Sequence, residues 1–278
     1  IPAFVSVDGG AGQAGFLGMT HAPFVVDNTG RIRNEPSEES RQRLGARLTM
    51  LDEIEAGFMN SRRGELPKAH QDVYKNAVNL MTSRQMAAFD VAKSDPMLGL
   101  EAESDATRDA YGRNGFGQGL LMARRLVQVG VPFVEVNMGG WDLHAGVFDT
   151  LKNQRLPQLD KGISAITADL KARGMLDNTV LVWMGEFGRT PRLNGFQGRD
   201  HWTDAYSIVF AGAGVPGGVV IGKTDDDGGY VLDSPHTPEE YACTIYEKLG
   251  IDRTKPLYTS ANRPVYFDHH ADPIAGVM

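Results

Sequence analysis

Three short stretches of this 278-residue sequence carry side chains suited to holding a divalent cation. Gly-Gly-Trp-Asp-Leu-His-Ala-Gly (139–146) supplies Asp142 and His144, and Gly-Glu-Phe-Gly-Arg-Thr-Pro (185–191) supplies Glu186 and Arg189. Gly-Arg-Asp-His-Trp (198–202) supplies Arg199, Asp200 and His201. Carboxylates crowded together without a counter-charge repel one another and take up protons. A divalent cation removes that penalty, and a mixed imidazole and carboxylate set suits zinc, manganese or calcium. The expected ligands are Asp142, His144, Glu186, Asp200 and His201, with Asp200 either ligating or orienting His201 from behind. Arg189 and Arg199 offer planar forks to a phosphate- or sulfate-like oxyanion and are the expected catalytic residues. Gly139, Gly140, Gly185, Gly188 and Gly198 allow tight backbone turns around an ion.

Each stretch also has a plainer reading. Asp142 can be a turn residue, Glu186 an ion-pair partner of Arg189 or Arg199, and Trp202 the anchor of a packed loop. What favours one shared site is position. Each stretch lies beside an apolar run that reads as a strand, and ligands in open α/β folds bind at the carboxyl ends of strands.

The elements that must position these loops follow from hydrophobic spacing. Residues 116–129 read as a helix ending at Gly130, 131–138 as a strand, and 147–173 as a long helix ending at Gly174. The near-continuous apolar runs 179–184 and 206–214 read as strands buried on both faces, and 217–222 as a shorter one. A last helix spans 238–249, with Thr237 as N-cap and Pro238 at its first position. Strands alternating with helices imply an α/β fold, a mostly parallel sheet with helices on both faces. All three loops then emerge at one edge of that sheet. The front of the chain reads as helical: one helix from Ser37 with Leu44, Leu48, Leu51 and Ile54 in register, a second from Pro67, and a third over 83–92, with 93–112 as a loop. The expected organisation is a single domain, with 31–112 as a helical cap or flanking layer and 113–278 as the core.

Composition narrows the function. A net charge of −7 and the absence of Lys/Arg clusters argue against a nucleic-acid binder. No apolar run approaches the ~20 residues of a membrane span. The lone Cys243 reads as a small buried hydrophobe. Gly10 to Gly15 formally matches the dinucleotide-binding glycine pattern, but Phe16, Leu17, Gly18 and Pro23 leave no helix for it to open, so it reads as a glycine-rich loop. Thr224 to Gly228 resembles a calcium loop in composition only and reads as an exposed turn. His21, His70, His236, His269 and His270 carry no spacing that argues for ligation. The opening Ile-Pro-Ala-Phe-Val-Ser-Val reads as a strand from the interior of a longer protein, so an upstream segment carrying the first core strand is expected.

The span from Gly139 to Gly218, with Gly-Glu-Phe-Gly-Arg-Thr-Pro and Gly-Arg-Asp-His-Trp as its most specific parts, resembles a family of uncharacterised bacterial proteins. They are catalogued as domain of unknown function number fifteen hundred and one and are often exported. The resemblance extends over nearly all of 1–267. That family is similar in turn to the alkaline phosphatase, sulfatase and phosphoglycerate mutase superfamily, where an Asp and a nearby His follow one strand, an Asp-His pair ends another, and a later His precedes a third. Asp142 and His144 match the first group, Glu186 the Asp of the pair, and His201 the last His. Phe187 stands where the pair has its ligand His, and no Ser or Thr here matches the superfamily nucleophile, which follows the first core strand. The resemblance implies an alkaline phosphatase-like fold, a periplasmic or secreted location, and a metal-dependent hydrolase of phosphate or sulfate esters, small or polymeric. The rival expectation is a non-catalytic protein of the same fold that binds a metal or a carbohydrate at the cell surface.

Overall fold

A computed structural model describes residues 2–9, 12, 14–18, 21–31, 38–60, 66–259, 261–267 and 271–278. It resolves into two compact units, 1–138 and 139–278. Ser37, His269 and His270 lie outside the described residues, as does part of the glycine-rich loop.

The first unit is built on a three-stranded parallel sheet of β1 (Phe4–Val7), β2 (Phe24–Val26) and β3 (Phe133–Val136), in the order β2-β1-β3. β1 is central, and its Val5 and Val7 are fully buried. Between β2 and β3 run α1 (Glu38–Gln42), α2 (Leu44–Asn60), α3 (Leu66–Thr82), α4 (Asp105–Tyr111) and α5 (Gly115–Gln128). α5 lies against the sheet: a Cβ built on Gly119 would stand 3.1 Å from Val136 and 3.2 Å from Val7. Met122 and Leu126 of α5 join Val5, Val7, Val26, Phe89 and Leu100 in one apolar core.

Two expectations need correction here. The third helix is a short 3-10 stretch, Arg84–Ala88. The loop 93–112 contains α4, which Ser104 caps by accepting from the Thr107 N–H. β2 carries no sequence signal of its own, since three residues are too short to show a period. Gly10, Ala11 and Gln13 of the glycine motif lie outside the described residues; its described end forms the 3-10 turn Gly15–Leu17, which stops at Gly18.

In the second unit, α6 (Val147–Thr150) runs without a break through a π-helical turn, Leu151–Arg155, into α7 (Leu156–Ala172). Pro157 explains the widened turn: it has no N–H for the preceding carbonyls, and its ring crowds the turn before it. Then follow β4 (Leu181–Trp183), β5 (Gly188–Arg189), β6 (His201–Trp202), β7 (Val209–Ala211), β8 (Lys223–Thr224), β9 (Val231–Asp233), α8 (Pro238–Lys248), β10 (Leu257–Tyr258) and β11 (Pro264–Val265). Every described strand pair in this unit is antiparallel: β4 with β7, β5 with β6, β8 with β9, β10 with β11.

This overturns the continuous parallel sheet expected for the second half. Runs 179–184 and 206–214 do form strands, but they pair with each other, antiparallel, and Trp183 and Val209 are more than 40% exposed. A two-stranded antiparallel pair leaves a face open, which a doubly covered strand does not. The run 217–222 forms no strand, and its Val220 is 89% exposed. α8 matches its expectation, with Thr237 and Glu240 closing a reciprocal capping box and Pro238 in the first turn. Cys243 on α8 is fully buried, and 224–228 is a turn held by Asp225, which accepts from the Gly229 and Tyr230 N–H groups. The fold shown is thus mixed α/β with small sheets, of which one is parallel. No described helix is long and apolar enough to cross a membrane.

Candidate metal centre

All three chemistry-bearing stretches fall in the second unit, and two of them are laced together by backbone. The Leu143 carbonyl accepts from the Arg199 N–H at 3.0 Å, and the Phe196 and Gln197 carbonyls accept from Gly146 and Val147 at 3.1 and 3.0 Å. Gly198 is the point of closest approach: a Cβ there would stand 2.0 Å from the His144 carbonyl, so only glycine lets the strands of chain meet. The third stretch joins by register. β5 pairs with β6 so that Arg189 stands opposite His201, and cross-strand neighbours share a face.

The result is a tight cluster around one carboxylate oxygen. Asp142 Oδ1 lies 2.8 Å from His201 Nε2, 2.9 Å from His144 Nε2 and 2.6 Å from Arg189 Nη2. The two Nε2 atoms are 3.3 Å apart. Asp142, His144 and His201 are therefore a group able to hold a metal ion. Tetrahedral zinc with bonds of about 2.0–2.1 Å keeps its ligand atoms about 3.3 Å apart, so one face of such a site nearly fits this triangle.

Behind the cluster, His144 Nδ1–H donates to Asp200 Oδ1 at 2.8 Å. That bond fixes the ring and leaves Nε2 for a cation, as carboxylates behind metal-bound histidines do. Asp200 thus orients His144, where the sequence reading paired it with His201. The charges tune each other. The Arg189 guanidinium, then the His201 ring, hold the Asp142 carboxyl down at about 2. Asp200 holds the His144 imidazole above its usual value, and His144 in return holds Asp200 below its own.

Glu186 is exposed and stands outside the triad. Its neighbour Phe187 packs on His201 with ring centroids 4.6 Å apart. Of the two arginines, Arg189 reaches the cluster. Arg199 instead ties its stretch to the one before it, its Nη1 donating to the Thr190 and Pro191 carbonyls. Among the described residues no other group of three His, Cys, Asp or Glu side chains converges in this way, and His21 and His236 take no part.

Two positioning residues escaped the sequence reading. Asn194 Nδ2 donates to both the His144 carbonyl and Asp200 Oδ1 at 3.0 Å, while its Oδ1 accepts from the Phe196 and Gly198 N–H groups. Its only sequence signal is the Asn-Gly pair, which marks a turn. Arg155, in the π turn, donates from Nε to the Gly140 carbonyl at 3.2 Å. Gly140 has φ +84°, and a Cβ on it would lie 2.2 Å from the guanidinium. The π turn thus seats Arg155 where the loop leading to Asp142 must bend around it. Gly140→Ala is expected to strain the backbone and to push the Arg155 guanidinium off the Gly140 carbonyl, and so to weaken zinc binding about tenfold or more. Isothermal titration calorimetry with zinc, beside a thermal melt, checks whether the loss exceeds any drop in stability.

The model of one family, described as "Protein of unknown function (DUF1501)", matches residues 1–278. No curated protein and no solved structure matches the chain. By that match over its full span, the chain that carries the Asp142, His144 and His201 cluster belongs to the DUF1501 family.

Proposed function

We propose that this protein is a metal-dependent hydrolase of phosphate or sulfate esters, with its cation held by Asp142, His144 and His201. The observation that carries the reading is the convergence of three ligand atoms separated by 2.8, 2.9 and 3.3 Å on one oxygen-centred point. A bound divalent ion would supply positive charge against the oxygen that gains charge as an ester breaks. The protein's own contributions are separable. Asp200 holds the Nδ1 proton of His144 and so keeps its Nε2 aimed inward. Arg189 supplies an N–H fork for an oxyanion beside the cluster. Phe187 covers one face of the His201 ring.

A second reading, a non-catalytic metal- or carbohydrate-binding surface protein, is favoured by the openness of the site. The side chains of Asp142, His144 and His201 are 66%, 46% and 50% exposed, and water-filled sites gain less from electrostatics. Phe187 also places an apolar ring where the superfamily resemblance has a ligand.

Metal analysis and turnover divide these readings. Purified protein is expected to carry about one equivalent of divalent metal, lost in His144→Ala and His201→Ala. A fall in Glu186→Ala as well would add Glu186 as a fourth ligand. Hydrolysis of aryl phosphate or aryl sulfate esters that disappears with the metal supports the enzyme. Retained metal with no turnover of either ester supports the binding protein. No metal in the wild-type protein would overturn the hydrolase and the metal-binding form of the second reading, and leave the carbohydrate-binding form.

A further inference from the structure

Arg189 occupies a place that a cation would contest. Its Nη2 sits 2.6 Å from Asp142 Oδ1, the same oxygen that both histidine Nε2 atoms face. Its Nη1 donates to the Arg199 carbonyl over a long 3.3 Å, and its guanidinium lies 5.9 Å from the centre of the Phe187 ring. The backbone of Arg189 is fixed by the β5–β6 ladder, so the side chain has a firm root and is held at its end chiefly by Asp142. The fork is only 21% exposed, whereas Asp142 beneath it is open.

We infer that Arg189 is a displaceable counter-ion: it neutralises Asp142 until a divalent cation takes that oxygen, and is then released to bind an oxyanion. This rests on the metal reading above and adds an order to it, cation first and anion second. The physics is charge balance. With neutral imidazoles, Asp142, Asp200 and Arg189 leave the cluster one negative charge in excess, which repels an oxyanion. A divalent ion on the Asp142, His144 and His201 atoms reverses the excess to one positive charge. It also repels the guanidinium from the oxygen they would share. Freed of Asp142, the fork regains the N–H donors that suit a phosphate or sulfate. The two ligands therefore favour each other's binding, and that coupling is reciprocal.

The test is a pair of titrations on three proteins. In wild-type protein, inorganic sulfate is expected to bind only after zinc is loaded. In Arg189→Gln the two affinities move in opposite directions: zinc binds about tenfold more tightly, having lost its competitor, and sulfate binds zinc-loaded protein about tenfold more weakly. Arg189→Lys keeps the charge without the fork, so zinc affinity returns toward the wild-type value while sulfate affinity stays low. A residue that merely held the loop together would weaken zinc binding when removed, so weaker or unchanged zinc binding in both variants overturns the proposal. Equal sulfate binding to metal-free and zinc-loaded wild-type protein overturns it too. A wild-type protein that takes up no zinc overturns the metal centre itself, and this coupling with it.

Discussion

Arg125→Met is expected to cost about 3–5 kcal/mol, chiefly by orphaning buried carbonyls, since Glu103 keeps the guanidinium of Arg124 as its partner. Arg125 is fully buried on α5. Its Nη1 donates to the Glu101 carbonyl and, at 2.9 Å, to Glu103 Oε1. Its Nη2 donates to the Ala87, Asp90 and Lys93 carbonyls at 2.8, 3.1 and 2.6 Å, and its Nε to Ala88 at 3.3 Å. One guanidinium thus gathers five carbonyls from a stretch, 87–101, that contains little regular structure. Burial pushes its pKa down and Glu103 pushes it back up, and the guanidinium stays charged. Methionine fills much of the volume but satisfies none of the acceptors, and a buried orphan carbonyl costs about 1–3 kcal/mol. Against a typical total of about 5–15 kcal/mol the loss is large. Arg125→Lys keeps the charge but offers three donors from one point, so it recovers part of the loss. Hydrogen exchange localises the effect without assuming that the two units unfold together. Amides of 84–101 should lose protection first, and unchanged protection there would show that the carbonyls find other partners.

The chemistry of the candidate site was legible because it lies in residue types. Asp142, His144 and His201 could be singled out from their spacing beside apolar runs, and the cluster brings those three together. The geometry that selects among candidates was not legible. Arg199 and Arg189 look alike in sequence, yet one spends its fork on the Thr190 and Pro191 carbonyls and the other reaches Asp142. Asn194 and Arg155 act through backbone atoms, which have no sequence signature. The same division runs through the fold. α8 was readable from the Thr237, Pro238 and Glu240 caps, and 147–172 from its apolar period. Strands 181–183 and 209–211 were readable as strands, because β-branched apolar runs mark them. Their direction and their open face were not, since a continuous apolar run is compatible with several pairings. α4 was missed because its polar sequence hides a helix whose main signal is the Ser104 cap.

Zinc affinity is expected to fall as pH drops through the raised pKa of His144, and Asp200→Asn is expected to move that fall to lower pH while weakening the affinity above it. A cation on His144 Nε2 competes with a proton there, so binding is full above the imidazole pKa of the metal-free protein and is lost below it. Asp200 is the main cause of the upward shift in that pKa. Replacing it with Asn removes the charge that favours the protonated ring, so the ring loses its proton at lower pH and the bend in the affinity curve follows. At higher pH the sign is opposite. Asp200 makes Nε2 a better donor and fixes the ring, and losing such a carboxylate typically costs about 10–100-fold in metal affinity. Asp142 does not confuse the result: its carboxyl sits at about 2 and stays ionised throughout. Calorimetric zinc titrations from about pH 5 to 8 read both effects from one curve per protein. A lower plateau with an unmoved bend would mean that Asp200 supports the loop without tuning the ring. A moved bend with an unchanged plateau would mean that a proton on His144 competes with the cation but that Asp200 adds nothing to the ring's donor strength or orientation.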